Sequence, residues 1–218
     1  MRRTPEPELM TDAEQVAAYA SADFEAPHSR YVELLTEHLP SLPRAGTAVD
    51  IGCGPGDITC RLARAFPEWN IHGLDGSAPM LEHARAAALG LGLGRRVGFH
   101  LCRLPDGHAP EAAYDLLCSN SLLHHLAEPM HLWRAIERWS RAESAVFVMD
   151  LMRPASDAAA RQLVEAYSRD EPEVLRRDFY NSLLAAYLPE EVREQLTRAG
   201  LARLRVEVVS DRHWLVAT

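Results

Sequence analysis

The residues of this chain with the clearest capacity for chemistry lie in one glycine-rich segment. The segment Asp50-Ile51-Gly52-Cys53-Gly54-Pro55-Gly56 ends an apolar run and carries an acid two residues before its first glycine. Glycines let a backbone adopt positive φ and approach a ligand closely. A dinucleotide site uses the spacing G-x-G-x-x-G to bind a pyrophosphate, which an acid at this position would repel. The segment therefore favours a ligand with a cationic ammonium group.

A second acid follows the glycine-rich segment at a sequence separation typical of a ribose-binding acid. Asp75 ends the next apolar run, nineteen positions after Gly56. At about this spacing an acid accepts hydrogen bonds from a ribose diol. The same stretch also has the pattern of a helix start, with Ser77 as the N-cap and Pro79 at the first helical position. The two roles are compatible.

The segment 49–56 resembles the first signature of class I S-adenosylmethionine-dependent methyltransferases, and the resemblance covers most of the chain. It implies S-adenosylmethionine as cofactor, bound at its methionine end by Asp50, Gly52, Cys53, Gly54 and Gly56, at its ribose by Asp75 and Gly76, and along its adenine by Met80. The acid that many relatives use for the adenine amino group is missing from 100–104. The backbone of Cys102 or Arg103 is the expected substitute.

The resemblance extends to the segment beneath the reactive methyl group. It implies that Asn120 and Ser121, at the end of a predicted fourth strand, lie where donor and acceptor meet. His124 and His125 are candidate general bases, since an imidazole pKa near ~6.5 suits proton removal at neutral pH. Two adjacent histidines cannot both face one site, and in the family such a pair often anchors its loop. The catalytic candidates are thus Asn120, His124 and His125, with loop anchoring as the alternative role for the histidines.

Candidate acceptor contacts come from later in the chain. Asp150 and Arg153 follow the fifth predicted strand, where they would point into the crevice at the carboxyl ends of the strands or pair internally. Tyr180 and Asn181 lie in an aromatic-rich helical stretch and are the remaining candidates. Tyr19 resembles an N-terminal tyrosine that many small-molecule methyltransferases fold over the cofactor, although core packing would also explain it.

Alternating strand-like and helix-like segments predict an α/β fold, a doubly wound, mostly parallel seven-stranded Rossmann-like sheet. Two final β-type runs predict a C-terminal antiparallel hairpin. We expect one domain over 1–218. It comprises an N-terminal helical cap (1–43), a cofactor-binding core (47–150), a helical insertion acting as a lid (154–188), and a closing helix with the hairpin (189–218).

Net charge, apolar content and cysteine usage limit the classes of function open to this chain. A net charge of −8 and 47% apolar residues indicate a globular protein that does not bind nucleic acid or an anionic membrane. Four cysteines without a regular framework indicate buried thiols in a cytoplasmic protein, and no segment approaches the ~20 apolar residues of a membrane span. We expect no metal, because His124, His125 and His131 lack metal-binding spacing and an acid to complete the set.

The sequence thus predicts an enzyme that transfers a methyl group from S-adenosylmethionine to a small-molecule acceptor, with the oligomeric state open. A nicotinamide-dependent oxidoreductase is disfavoured by the glycine spacing and by the absence of a Tyr-x-x-x-Lys pair. A catalytically silent S-adenosylmethionine-binding protein is the other alternative, because fold alone does not establish catalysis.

Overall fold

The structure is a computed structural model that describes residues 1–7, 9–10 and 12–218. Its strands are β1 (Gly46–Ile51), β2 (Trp69–Asp75), β3 (Val97–Leu101), β4 (Tyr114–Asn120), β5 (Ser140–Leu151), β6 (Arg205–Val208) and β7 (His213–Ala217). Its helices are α1 (Ala13–Ser21), α2 (Glu25–His38), α3 (Asp57–Ala65), α4 (Ala78–Gly90), α5 (Met130–Trp139), α6 (Asp157–Tyr167), α7 (Glu173–Ala185) and α8 (Pro189–Arg198).

All seven strands belong to one sheet, in the order β3-β2-β1-β4-β5-β7-β6. The first five strands are parallel, whereas β7 runs antiparallel to both β5 and β6. The chain changes direction across the sheet between β1 and β4, which leaves a crevice at the carboxyl ends of these strands. The predicted α/β fold with its antiparallel hairpin is confirmed.

Two helical layers bury the faces of the sheet. Helices α2, α3 and α4 pack on one face through side chains such as Tyr31, Leu62 and Leu81, and α5 and α8 pack on the other. Trp133 of α5 is fully buried, and its indole N–H donates to Gln195 Oε1 of α8 at 2.8 Å. A buried indole needs such a partner, so this bond lets a large apolar ring join the two helices without an unsatisfied donor.

The N-terminal residues 1–7 with Leu9 and Met10, here called the strap, run over the outside of the sheet's carboxyl edge. The guanidinium of Arg3 donates to the carbonyl oxygens of Ala185, His124 and Leu126. The Thr4 N–H donates to Leu184 O at 2.9 Å. The strap is therefore attached to the end of α7 and to the loop that follows β4.

The structure adds detail to two segments of the chain. The predicted helical insertion over 154–188 consists of two helices, α6 and α7. Strand β5 begins at Ser140 with mostly exposed residues and is mostly buried from Ser144 to Leu151. All four cysteines are buried free thiols. No helix in the described part of the chain is long and apolar enough to cross a membrane.

Candidate active site

A cavity opens at the carboxyl ends of β1, β2 and β4. The glycine-rich loop and the first residues after β2 and β4 form its floor and walls, and Leu9 and Met10 of the strap, with Tyr19 and His28, cover it. No residue of 154–188 is among the described residues that line it. The described part of the cover is thus formed by the N-terminal strap, α1 and α2, and it contains no described residue of the segment predicted as a lid.

Three positive φ angles shape the glycine-rich loop. Gly52, Gly54 and Gly56 have φ values of 76°, 52° and 84°. A Cβ on Gly56 would lie 2.8 Å from the Cβ of Ala84 and from the ring of Phe99, so this glycine is required for packing. A Cβ on Gly54 would meet no heavy atom within 4 Å, although Gly54 lines the cavity. The Gly54 backbone therefore presents a bare surface to a ligand.

Asp50 lies beneath this loop and is 1% exposed. Its Oδ2 accepts a hydrogen bond from Thr59 Oγ1 of α3 at 2.6 Å. Burial raises the pKa of Asp50 to about 7, although the bond from Thr59 opposes this shift. The carboxylate thus lacks a cationic partner among the described residues, and a ligand ammonium group would supply one.

Asp75 ends β2 and connects the two loops of the site. One carboxylate oxygen accepts from the Gly54 N–H at 2.9 Å, and the other accepts from the Ser77 N–H at 2.7 Å. Ser77 caps α4 as the sequence predicts, since its hydroxyl accepts from the Met80 N–H. Asp75, Gly76 and buried Met80 all line the cavity. Both predicted roles of Asp75 are thus structurally compatible.

The segment after β3 limits how the backbone could contact an adenine. Cys102 and Arg103 line the cavity, but the Cys102 N–H donates to Asp75 O at 2.9 Å as part of the strand pairing. This N–H is therefore engaged within the sheet, and a backbone contact from Cys102 to an adenine would have to use its carbonyl oxygen. Arg103, beside Gly76, stays a candidate at this end.

The end of β4 forms the opposite wall. Asn120, Ser121 and Leu122 line the cavity, and Ser121 has a positive φ of 54°. Its N–H donates to Met149 O of β5, which holds this turn against the sheet. Tyr19 also lines the cavity, and burial raises its pKa to about 12. Its phenol is therefore neutral at physiological pH.

The two adjacent histidines take different positions. His125 lines the cavity, whereas His124 does not and is 2% exposed. His124 Nδ1 pairs with Asp150 Oδ1 at 2.5 Å, and Asp150 Oδ2 also accepts from the Leu123 N–H at 2.6 Å. His124 thus anchors the loop after β4, as the alternative interpretation proposes, and it does not face the cavity as a general base would.

The strap adds an acid to this pair that the sequence analysis missed. Glu6 Oε1 lies 3.2 Å from His125 Nδ1 and 3.6 Å from His124 Nε2. The three side chains bring potential metal ligands within 4.8 Å of one another. His124 lies between the two carboxylates Glu6 and Asp150, and both raise the pKa of its imidazole against the effect of burial. We therefore interpret the cluster as the ionic attachment of the strap.

The acceptor contacts predicted from the later part of the chain do not reach the cavity. Asp150 lies under the loop after β4, and Arg153, 5% exposed, donates to Ala186 O and to Glu191. This is the internal pairing that was the alternative for Arg153. Tyr180 pairs with Asp157 outside the cavity, and Asn181 is exposed. Tyr180 and Asn181 lie away from the cavity because α7 turns this face towards α6 and solvent.

One polar pair on the cavity wall was not predicted. His28 of α2 lines the cavity, and its Nδ1 lies 2.6 Å from Asp57 Oδ2. Burial raises the pKa of Asp57, but the bonds from His28 and Arg61 outweigh it and hold the pKa below its usual value. The two residues lie 29 positions apart in the sequence. The only sequence signal for the pair was the position of Asp57 directly after Gly56.

Comparison with known proteins agrees with this geometry. Residues 48–144 match a family model described as a methyltransferase domain. A trans-aconitate 2-methyltransferase of Acidovorax sp. (strain JS42) is 30% identical over 207 residues, which cover 89% of this chain and 76% of the relative. The chain therefore belongs to the class I S-adenosylmethionine-dependent methyltransferase family.

Other relatives are matched over less of their length. The chain spans 34% of a trans-aconitate 2-methyltransferase of Methylobacterium radiotolerans, with 38% identity over 44% of this chain. It spans 62% of the enzyme of that name from Streptomyces avermitilis, with 30% identity over 77% of this chain.

Solved structures share the fold. An S-adenosylmethionine-dependent methyltransferase from Aquifex aeolicus has a TM-score of 0.69 at 18% identity, over 95% of this chain and 98% of that one. The plantazolicin methyltransferase BpumL, solved with S-adenosylhomocysteine, has a TM-score of 0.69 at 15% identity, over 93% of this chain and 89% of that one.

Proposed function

We propose that this chain binds S-adenosylmethionine in the cavity and transfers its methyl group to a small-molecule acceptor. The observation that carries the proposal is the bare Gly54 backbone between two acids, the buried Asp50 and the half-buried Asp75. A pyrophosphate would be repelled there, whereas an ammonium group and a ribose diol would each gain a partner. Membership of the methyltransferase family supports the same cofactor.

Different residues of the cavity would contact different parts of the cofactor. Gly52 and Gly54 would hold the methionine end, with Asp50 beneath, and Asp75 would accept hydrogen bonds from the ribose. Buried Met80 offers an apolar surface for the adenine. The bound cofactor would supply a methyl group on a cationic sulfur, an already activated donor.

The chain's own contribution is positioning and the exclusion of water. Asn120 and Ser121 would face the methyl group from the end of β4, and Tyr19 would close the cavity from α1. Leu9 and Met10 of the strap add an apolar cover. Holding two reactants in line lowers the entropic part of the barrier, and a cover that opens and closes would admit them.

The partner is proposed to be a small molecule rather than a macromolecule. The cavity lies under the strap and α1, and the net charge of −8 disfavours nucleic acid. The reduced, buried state of all four cysteines supports a cytoplasmic location.

Binding and transfer are tested separately. Calorimetry with S-adenosylmethionine, S-adenosylhomocysteine and NAD should give saturable heat with the first two alone. Methyl-labelled S-adenosylmethionine, incubated with the protein and a metabolite extract, should then label a small product. Binding of NAD alone would contradict the cofactor, and cofactor binding without any labelled product would favour the catalytically silent alternative.

A further inference from the structure

The part of the cavity wall that would face an acceptor is formed by uncharged groups. It comprises residues at and after the end of β4, together with α1: Tyr19, Asn120, Ser121, Leu122, His125 and Leu126. Burial and the neighbouring His124 lower the pKa of His125 to about 3, so its imidazole is neutral at physiological pH. Tyr19, with a raised pKa, is neutral as well.

The charged residues that line the rest of the cavity are mainly acids. Asp50, Asp57 and Asp75 are the described acids that line it, and Arg103 is the arginine among the described lining residues. The Cα and Cγ atoms of Arg103 lie beside Gly76, at the end assigned to the ribose and adenine. The acceptor side therefore receives no excess positive charge from the cavity lining.

Two arginines near this wall are already engaged. The Arg3 guanidinium donates to three carbonyl oxygens and lies 4.1 Å above the ring of Tyr187. Arg153 is buried against Glu191. Neither side chain is among the described residues that line the cavity. Recruiting either one to an acceptor would leave buried carbonyl oxygens or a carboxylate without its partner, which is unfavourable.

From this distribution, and resting on the proposed function, we infer that the acceptor is an uncharged small molecule with an apolar body and a nucleophilic oxygen, sulfur or nitrogen atom. A polycarboxylate would lose its hydration against this wall without gaining a cationic side chain from the described residues that form it. An apolar body would instead bury its surface against Leu122 and Leu126. The chain would thus differ from its relatives in acceptor class while sharing their cofactor.

The test uses matched compounds that differ in their carboxylates: by one in the ring pairs, and by three in trans-aconitate and its trimethyl ester. Protein saturated with S-adenosylhomocysteine is titrated, at fixed ionic strength, with phenols and thiophenols, with the same rings carrying a carboxylate, and with trans-aconitate and its trimethyl ester. Turnover with labelled S-adenosylmethionine is measured for each phenol, for each thiol and for trans-aconitate. We expect the neutral member of at least one pair to bind, or to react with a kcat/KM, at least about tenfold better.

A matched pair of variants provides a second readout. Ser121→Lys adds a cation to the wall, and Ser121→Met adds a chain of similar length without charge. The preference for neutral acceptors should be at least about tenfold smaller in the lysine variant. If either variant fails to fold, the wild-type comparison decides alone.

Three results would overturn the inference: a preference for the neutral member below about tenfold in every pair, turnover of trans-aconitate above every neutral acceptor, or no neutral acceptor that binds. Failure of the proposed function has a different signature. In that case S-adenosylhomocysteine itself would not bind, and the titrations could not begin from a saturated complex.

Discussion

His124 and Asp150 form a buried pair, with Nδ1 and Oδ1 2.5 Å apart and side chains 2% and 1% exposed. Burial opposes the charge on His124, but Asp150 and Glu6 outweigh it and raise the pKa of the imidazole. Burial likewise opposes ionisation of Asp150, and His124 outweighs it to lower that pKa. Because Asp150 also accepts the Leu123 N–H, the pair fixes the wall that carries His125.

Replacing His124 should therefore damage stability more than chemistry. His124→Ala leaves a buried carboxylate without its cationic partner, and we expect it to lower the free energy of unfolding by about 3–5 kcal/mol. Urea denaturation measures the loss. The exposed His108→Ala is the control and should stay within about 0.5 kcal/mol of wild type. A loss below about 1 kcal/mol for His124→Ala would contradict the role of the pair.

The same pair predicts a pH window. The raised folded pKa of His124 gives stability that is full below the unfolded value of 6.5 and is lost as pH rises through the folded pKa. The lowered folded pKa of Asp150 gives stability that is present above 3.8 and is lost as pH falls through the folded pKa. The advantage of wild type over His124→Ala should therefore be largest between these two values.

The loop glycines allow binding and backbone strain to be separated. Gly54 and Gly92 both have positive φ, and a Cβ on either would meet no heavy atom within 4 Å. Alanine should cost about 1–2 kcal/mol of stability at each position, since an L-residue is strained there. Only Gly54 lines the cavity. Gly54→Ala should thus weaken S-adenosylhomocysteine binding at least about tenfold by calorimetry, whereas Gly92→Ala should leave it unchanged. Equal affinities would place the ligand elsewhere.

The sequence predicts the features that depend on residues close together along the chain. The loop from Asp50 to Gly56, the cap at Ser77 and the order of strands all follow from turn chemistry and periodicity, and the structure reproduces them. Contacts between segments far apart in the sequence could not be predicted from local pattern. Glu6 approaches His125 across about half the chain, and no periodic pattern marks a ligand-covering strap of irregular backbone.

The failures at Arg153 and Tyr180 have the same origin. Position after a strand, or in an aromatic-rich helix, does not determine which face a side chain occupies once α6 and α7 pack together. Arg153 donates to Glu191 and Tyr180 donates to Asp157. Both partners come close only through the packing of separate elements.

Asp75 should contribute to both binding and the loop. Because its carboxylate accepts the Gly54 and Ser77 N–H groups, Asp75→Asn loses one acceptor oxygen as well as the ribose partner. We expect about a tenfold to hundredfold weaker S-adenosylhomocysteine binding and a stability loss of about 1–3 kcal/mol. Exposed Asp106→Asn is the matched control. A variant with full affinity would refute the ribose assignment.

Glu6 should control how long the cover stays closed. It contacts both histidines and accepts from Ser182 Oγ at 3.0 Å, so Glu6→Gln keeps the shape but removes the charge. We expect faster amide hydrogen exchange in the strap and a several-fold faster release of S-adenosylhomocysteine in stopped flow. The exposed Glu143→Gln should change neither. Unaltered exchange and release in Glu6→Gln would show that the ionic contact does not hold the cover.

Cofactor binding should release a proton below neutral pH because of Asp50. Burial raises the pKa of Asp50 to about 7 in the ligand-free protein, above the unfolded value of 3.8, so stability of that form falls as pH rises between these values. A ligand ammonium group near the carboxylate favours its ionised form. S-adenosylhomocysteine should therefore bind more weakly as pH falls below 7, by up to about tenfold per unit.

Calorimetry at pH 6 in two buffers of different ionisation enthalpy measures the proton directly. Wild type should release close to one proton per site, whereas Asp50→Asn, which has no carboxyl to titrate, should release none. Thr59→Val removes the hydroxyl that donates to Asp50 Oδ2 and opposes the effect of burial. The pKa of Asp50 should therefore rise further in this variant, and binding should begin to weaken at a higher pH. Identical heats in both buffers for wild type would mean that the ammonium group does not lie beside Asp50.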